Sequence, residues 1–184
     1  MHKTSTHAAR ILAAADKLFY EQGIRAVGVD TIAAQAGVSK RTLYNYYPTK
    51  DDLIAAYLTA RFKHVEPSDA PAREQILAYF DRLEKLMADG GFRGCPYVNA
   101  VTELCNRKHA ATGIAVRFKE ERIRWYQTLL ERMGAGDPQG VAMQLQILVE
   151  GAIASALVRD DPSYARSARA AAEILLDAAT RKKR

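Results

Sequence analysis

The chain has 184 residues, a formal net charge of +6, 48% hydrophobic residues and 26% charged ones. That balance excludes a disordered chain, and the length allows one or two domains with a sizeable core. Two cysteines cannot build a disulfide framework, the opening MHKTSTHAARIL lacks the apolar stretch of a secretory signal, and no apolar run approaches the ~18 residues of a membrane span. A cytoplasmic protein that does not meet the membrane is therefore expected.

The positive charge is unevenly placed. Residues 1–63 hold nine Lys/Arg against five Asp/Glu, a local net of +4. Residues 64–184 hold eighteen against sixteen, and the final RKKR supplies four of those positives. A basic excess concentrated in a short segment suits a phosphate-binding module.

Apolar residues recur at helical spacing along the whole chain, without sustained period-two alternation, so an all-α fold is predicted. The first helix runs over about 6–22, with Ala8, Ile11, Leu12, Ala15, Leu18 and Phe19 on one face and Gly23 as its stop. A short helix over 29–36 ends at Gly37, and another follows Ser39 and closes before Pro48. Thr49 caps a longer helix, with Asp52 three residues on as in a capping box. Pro67 and Pro71 mark a break, beyond which helices are predicted at 72–89, 97–108, 112–133, 138–159 and 163–181. The organisation that follows is a helix-turn-helix domain over 1–50, a connecting helix over 51–66, a helical domain over 67–180 and a basic tail over 181–184.

Residues 29–50 read VDTIAAQAGVSKRTLYNYYPTK, and the chemistry concentrates there. Two short helices joined by a tight turn cross steeply. Ala33 is small at the crossing, and Gly37 supplies the positive φ that the turn needs. Ile32, Ala36, Val38 and Leu43 can fill the space between the helices, Tyr47 can anchor the far end, and Ser39 can cap the second helix. Its outer face is then Lys40, Arg41, Thr42, Tyr44, Asn45 and Tyr46. Such a helix fits the major groove, where Lys and Arg donate to guanine, Asn pairs with adenine and a Thr methyl meets thymine. Tyr hydroxyls and Lys50 can reach phosphates, and free N–H groups opening the next helix form an anion site.

Residues 8–54, and AGVSKRTLYNYYPTKDDL above all, resemble the N-terminal DNA-binding domain of TetR-family transcriptional regulators. The family pattern of Tyr at 44, an aromatic or His at 46, an aromatic at 47, Lys at 50 and Leu at 53 is met. Gly28 departs from it, standing where members often have a capping Ser or Thr that meets a phosphate. The resemblance implies that Lys40, Arg41, Thr42, Tyr44, Asn45 and Tyr46 face DNA and that Lys50 meets phosphate. It further implies a homodimer through the last two helices, release from a pseudo-palindromic operator by a small-molecule effector, and repression as the commoner mode.

The remaining helices fit those roles. Residues 141–158, VAMQLQILVEGAIASALV, are apolar around most of the circumference, with small residues at Gly151, Ala152, Ala154, Ser155 and Ala156. The last helix repeats the theme with Ala168, Ala171, Ala172, Leu175 and Ala179, so two such helices can pair with those of a second copy. Asn99, Glu103, Trp125, Tyr126 and Gln144 are candidate ligand-binding residues among aromatic and aliphatic neighbours. Cys95 opens a predicted helix beside Arg93, a setting that favours thiolate, so redox or electrophile sensing is an alternative function. A helical small-molecule-binding protein without DNA recognition is another. No phosphate-binding glycine loop, nucleophile elbow or metal-ligand spacing is present, so neither an enzyme nor a cofactor or metal site is expected.

Overall fold

The computed structural model describes residues 2–62 and 68–181, with side chains from Thr6 onward. Nine α-helices and no strand occur among the described residues, in the order α1 His2–Gln22, α2 Val29–Ala36, α3 Lys40–Tyr46, α4 Lys50–Arg61, α5 Ala72–Met87, α6 Pro96–Leu104, α7 Ala110–Arg132, α8 Pro138–Arg159 and α9 Ser163–Thr180. The predicted break at Pro67, the end of the connecting helix and the last three residues of the basic tail lie outside the described residues.

Local chemistry sets most of these ends. Gly37 adopts φ 61 after α2, and its N–H and that of Val38 return to the carbonyls of Ala34 and Ala33. Thr49 and Asp52 form the expected capping box at α4. Asp137 caps α8 by accepting from Gly140 N–H at 2.9 Å, with Pro138 at the first helical position. One stretch departs from expectation. α6 stops at Leu104, because Cys105 takes a left-handed φ of 50, and α7 already starts at Ala110. Gly113, which suggested a gap there, lies inside α7.

The chain forms two compact units, and they do not follow sequence order. The first contains α1 to α4 together with residues 95–118, which the sequence assigned to the C-terminal domain. Its core is built on Ile11, Ala15, Leu18, Phe19, Ile32, Leu43, Leu53, Ile54, Tyr57 and Leu58, all buried. Aromatic packing draws the later segment in. Tyr97 stacks on Phe118 at 4.0 Å, Phe62 meets both rings edge-on, and the Tyr97 hydroxyl donates to the Leu58 carbonyl at 3.3 Å. Across α1 and α4, the Arg61 guanidinium grips Asp16 in a fork of 2.5 and 2.9 Å and lies over the Tyr20 ring.

The second unit holds α5, the rest of α7, α8 and α9 around Ile76, Phe80, Tyr126, Leu130, Leu145, Ala165, Ala172 and Leu176. Arg73 pairs with Asp177, Arg169 with Asp81 and Arg166 with Glu84 along the seam of α5 and α9. α8 corrects one expectation, since by length and composition alone it could cross a membrane. Here one face of it, Val141, Ala142, Leu145, Gln146, Val149, Ala152 and Ala156, is buried among the other helices of the unit.

Candidate nucleic-acid interface

α3 is seven residues long and cannot hold its shape alone, so its geometry is imposed from below. Leu43, its one buried residue, is fully enclosed in the core of the first unit. Burying such a side chain contributes about 1.5–3 kcal/mol. Ser39 caps the helix, accepting from Thr42 N–H at 3.0 Å and sharing a 2.8 Å hydrogen bond between the two hydroxyls. At the far end the Tyr47 hydroxyl reaches the Ala8 carbonyl at 3.5 Å. The turn itself is clasped by α1, where Arg10 donates to the Gly37 carbonyl at 3.1 Å. Nothing in the motif had pointed to Arg10, whose contact spans 27 residues.

Arg41, Tyr44 and Asn45 stand exposed on the outer face, with Lys40 beside them. Lys40 pairs with Asp30 of α2 at 3.0 Å, and that hydrogen bond raises its pKa above the ordinary lysine value. Both partners are solvent-exposed, so the pair is loosely held and phosphate can compete for the ammonium. Thr42 is half-buried, with its hydroxyl engaged by Ser39. Tyr46 is half-buried against His7, ring centroids 6.5 Å apart.

Lys50 occupies a different place from a purely surface lysine. Its Nζ donates to the Ile24 carbonyl at 2.6 Å and lies 5.9 Å from the Phe19 ring centre. Partial burial pushes its pKa below the usual lysine range, opposed by the carboxylates of Glu103 and Asp51. An ammonium has three donors, and Ile24 accepts only one. At the start of α4 the Thr49 hydroxyl accepts from the Asp52 N–H at 3.0 Å, which engages one N–H of the expected backbone anion site. Asp52 Oδ2 accepts from both Thr49 N–H and Thr49 Oγ1, and Asp51 adds a second carboxylate in the same turn.

The five candidate ligand residues are divided between the two units. Asn99 and Glu103 belong to the first unit, and Trp125, Tyr126 and Gln144 to the second. Glu103 accepts from the Arg25 N–H at 2.9 Å, bracing the turn after α1. Gln144 is exposed, whereas Gln146, two residues on and on the opposite side of α8, is buried. The i,i+4 relation of Gln146 to Glu150 was the signal available for it. Tyr126 is fully buried and Trp125 half-buried in the second unit. Cys95 is buried, unlike the accessible thiols that sense oxidants, and the exposed cysteine is Cys105.

A short helix braced on a three-helix core, presenting Lys, Arg, Tyr and Asn outward, is a helix-turn-helix DNA-binding head. Residues 11–57 match the family model described as bacterial regulatory proteins, tetR family. The sav143 transcriptional regulator of Streptomyces avermitilis is 34% identical over 96% of this chain and 99% of its own, with a TM-score of 0.86. SCO4454, a TetR-family transcriptional regulator from Streptomyces coelicolor, is 30% identical over 96% and 97%, with a TM-score of 0.87. The HTH-type transcriptional activator FasR of Mycolicibacterium smegmatis is 34% identical over 79 residues, 43% of this chain but only 35% of FasR. The chain belongs to the TetR family of DNA-binding transcriptional regulators.

Proposed function

We propose that this regulator is a cytoplasmic repressor that binds a pseudo-palindromic operator as a homodimer and leaves it when a small molecule occupies the second unit. The observation that carries the DNA-reading half is the outward face of α3. Lys40, Arg41, Tyr44 and Asn45 are exposed together on a helix locked by Leu43, so base edges meet a preset constellation. Lys40 exchanges Asp30 for DNA, Arg41 and Asn45 read bases, and Tyr44 with a free donor of Lys50 contacts phosphates. Thr42 and Tyr46 contribute at the edges, through a methyl group and a ring respectively.

Dimerisation is supported by an apolar stripe without cover. Met143, Ile147, Gly151, Ala154 and Val158 follow one another at helical spacing on α8, and all are exposed. Ile147 is 62% exposed, Val158 81% and Ile174 of α9 70%. Large aliphatic side chains clustered this way mark a protein interface, and the small residues between them allow close approach. A second copy presents the same stripe, giving an isologous four-helix contact. Two heads then read half-sites one helical turn, about 34 Å, apart.

Effector response rests on the candidates Asn99, Glu103, Trp125, Tyr126 and Gln144, of which Tyr126 is buried and Trp125 half-buried in the second unit. Repression rests on the family resemblance. The test is footprinting of the promoter of its own gene, coupled to transcription in vitro. Protection of a two-fold symmetric site of two half-sites, with transcription falling as protein is added, supports the reading. Protection with rising transcription overturns repression, and no protection at low salt overturns DNA recognition.

A further inference from the structure

We infer that the second unit receives a neutral hydroxylated aromatic compound, a phenol, between Tyr126 and Gln146; its role as effector rests on the ligand-responsive reading above. Tyr126 is 0% exposed, and its buried hydroxyl has no hydrogen-bond partner among the described residues. Gln146 is 7% exposed, and its Oε1 is likewise buried without a partner. Its amide orientation is settled by chemistry, since Nε2 donates to Glu150 Oε1 and a flipped amide would set oxygen against oxygen. Leaving two buried polar atoms unbonded is costly, and a ligand that bonds both recovers that cost.

Both residues are tied to the same carboxylate, Gln146 through a hydrogen bond from its Nε2 and the Tyr126 hydroxyl through the electrostatic influence of Glu150. Glu150 Oε1 accepts from both Gln146 Nε2 and the Lys119 ammonium. Burial pushes the Tyr126 hydroxyl well above its ordinary pKa, with Tyr79 and Glu150 adding to the effect, so it stays protonated and able to donate. The surrounding surface is aromatic. The Tyr79 ring meets Tyr126 edge-on at 6.1 Å and Trp125 at 6.0 Å, Trp125 lies 4.9 Å from Tyr126, and the Arg122 guanidinium sits 4.3 Å from the Tyr79 ring centre. Tyr79 and Trp125 are half-buried, so this aromatic cluster reaches the surface of the unit.

The donor pattern selects the ligand. Gln146 Oε1 must receive a hydrogen, while the Tyr126 hydroxyl can give one. A single hydroxyl does both. A carboxylate cannot donate and would place negative charge against Gln146 Oε1 and Glu150, and an ammonium cannot accept. An aliphatic alcohol satisfies the polar pair but leaves the aromatic surroundings without a ring to pack against.

Trp125 is the only tryptophan in the chain, which makes its emission a reporter at the site. The experiment titrates the full-length protein with 4-methylphenol, toluene and 4-methylbenzoate, followed by red-edge-excited Trp125 emission and by calorimetry. We expect saturable binding of 4-methylphenol about tenfold tighter than toluene or 4-methylbenzoate. Tyr126→Phe and Gln146→Met should each weaken 4-methylphenol roughly fivefold to tenfold and leave toluene unchanged. Tyr126→Phe removes only an unbonded hydroxyl, so it should fold with at least the wild-type Tm. No saturable binding, equal affinity for toluene, or wild-type affinity in both variants overturns the proposal. Operator binding by the unliganded protein, measured in parallel, keeps the two readings apart. Binding of 4-methylphenol without release of DNA upholds the site and refutes its role as an effector site, whereas failure of 4-methylphenol to bind leaves DNA recognition standing.

Discussion

Lys50 offers the sharpest separation between a structural and an electrostatic role. Substituting Lys50→Met keeps the aliphatic stem and removes the ammonium, so the Ile24 carbonyl loses its 2.6 Å donor. The stability cost of that loss is about 1–2 kcal/mol, too little to unfold the head at room temperature. If one remaining donor of Lys50 also meets a phosphate, a dimer loses two phosphate contacts, and the slope of log affinity against log salt becomes shallower by about 1.8. A tenfold dilution of salt then strengthens the wild type roughly sixtyfold more than the variant. Fluorescence anisotropy over a salt series, on the operator and on a scrambled duplex, gives both slopes. The phosphate role requires the same change on both duplexes. Parallel slopes for wild type and variant, with affinity falling only as the folded fraction falls, would refute it and leave Lys50 as a brace for the turn after α1.

Leu43→Ala empties the only buried position on α3 and should cost about 3 kcal/mol in urea denaturation, with operator binding lost; retention of wild-type affinity would show that the helix does not depend on this anchor. Ile147→Glu with Val158→Glu puts charge into the exposed stripe of α8 and should give monomers by sedimentation, with specific DNA affinity falling by at least an order of magnitude; an unchanged dimer would relocate the interface. Burial raises the pKa of both Tyr57 and Tyr126, so each contributes stability that is complete below the unfolded tyrosine pKa and is lost as pH rises above about 10. In a tyrosinate absorbance titration those two of the nine tyrosines should ionise only as the protein unfolds; simultaneous titration of all nine in folded protein would contradict their burial.

The helices were legible wherever punctuation was local. Gly37, Ser39, the pair Thr49 and Asp52, and the Asp137–Pro138 start each act within four residues of the end they set, so sequence spacing carries the information. Between α6 and α7 it failed, because Cys105 adopts a left-handed conformation without glycine and Gly113 sits harmlessly in a helix. The outer face of α3 was legible for a related reason, since a seven-residue helix with one buried residue leaves little choice of exposed side. What the residues touch was not. The contacts of Arg10 with Gly37, Lys50 with Ile24 and Glu103 with Arg25 span 27, 26 and 78 residues, and no periodicity encodes a backbone carbonyl or N–H brought near by folding. Gln144 and Gln146 differ by helical phase, where a two-residue step turns a side chain from solvent into the core.

Glu103 belongs to a set of long-range braces around the head. Residues 95–118 pack with the head, and three of their side chains reach its frame at different points. Glu103 holds the turn after α1 through the Arg25 N–H, Tyr97 holds the late part of α4 through the Leu58 carbonyl, and His109 Nε2 approaches Asp51 at the start of α4 at 3.4 Å. α4 is thus gripped near both ends by one segment, and Lys50 at its first residue fastens the Ile24 carbonyl next to the Arg25 peptide that Glu103 holds. Displacement of α6 cannot be absorbed by α4 alone, since it strains the turn after α1 and the ammonium together.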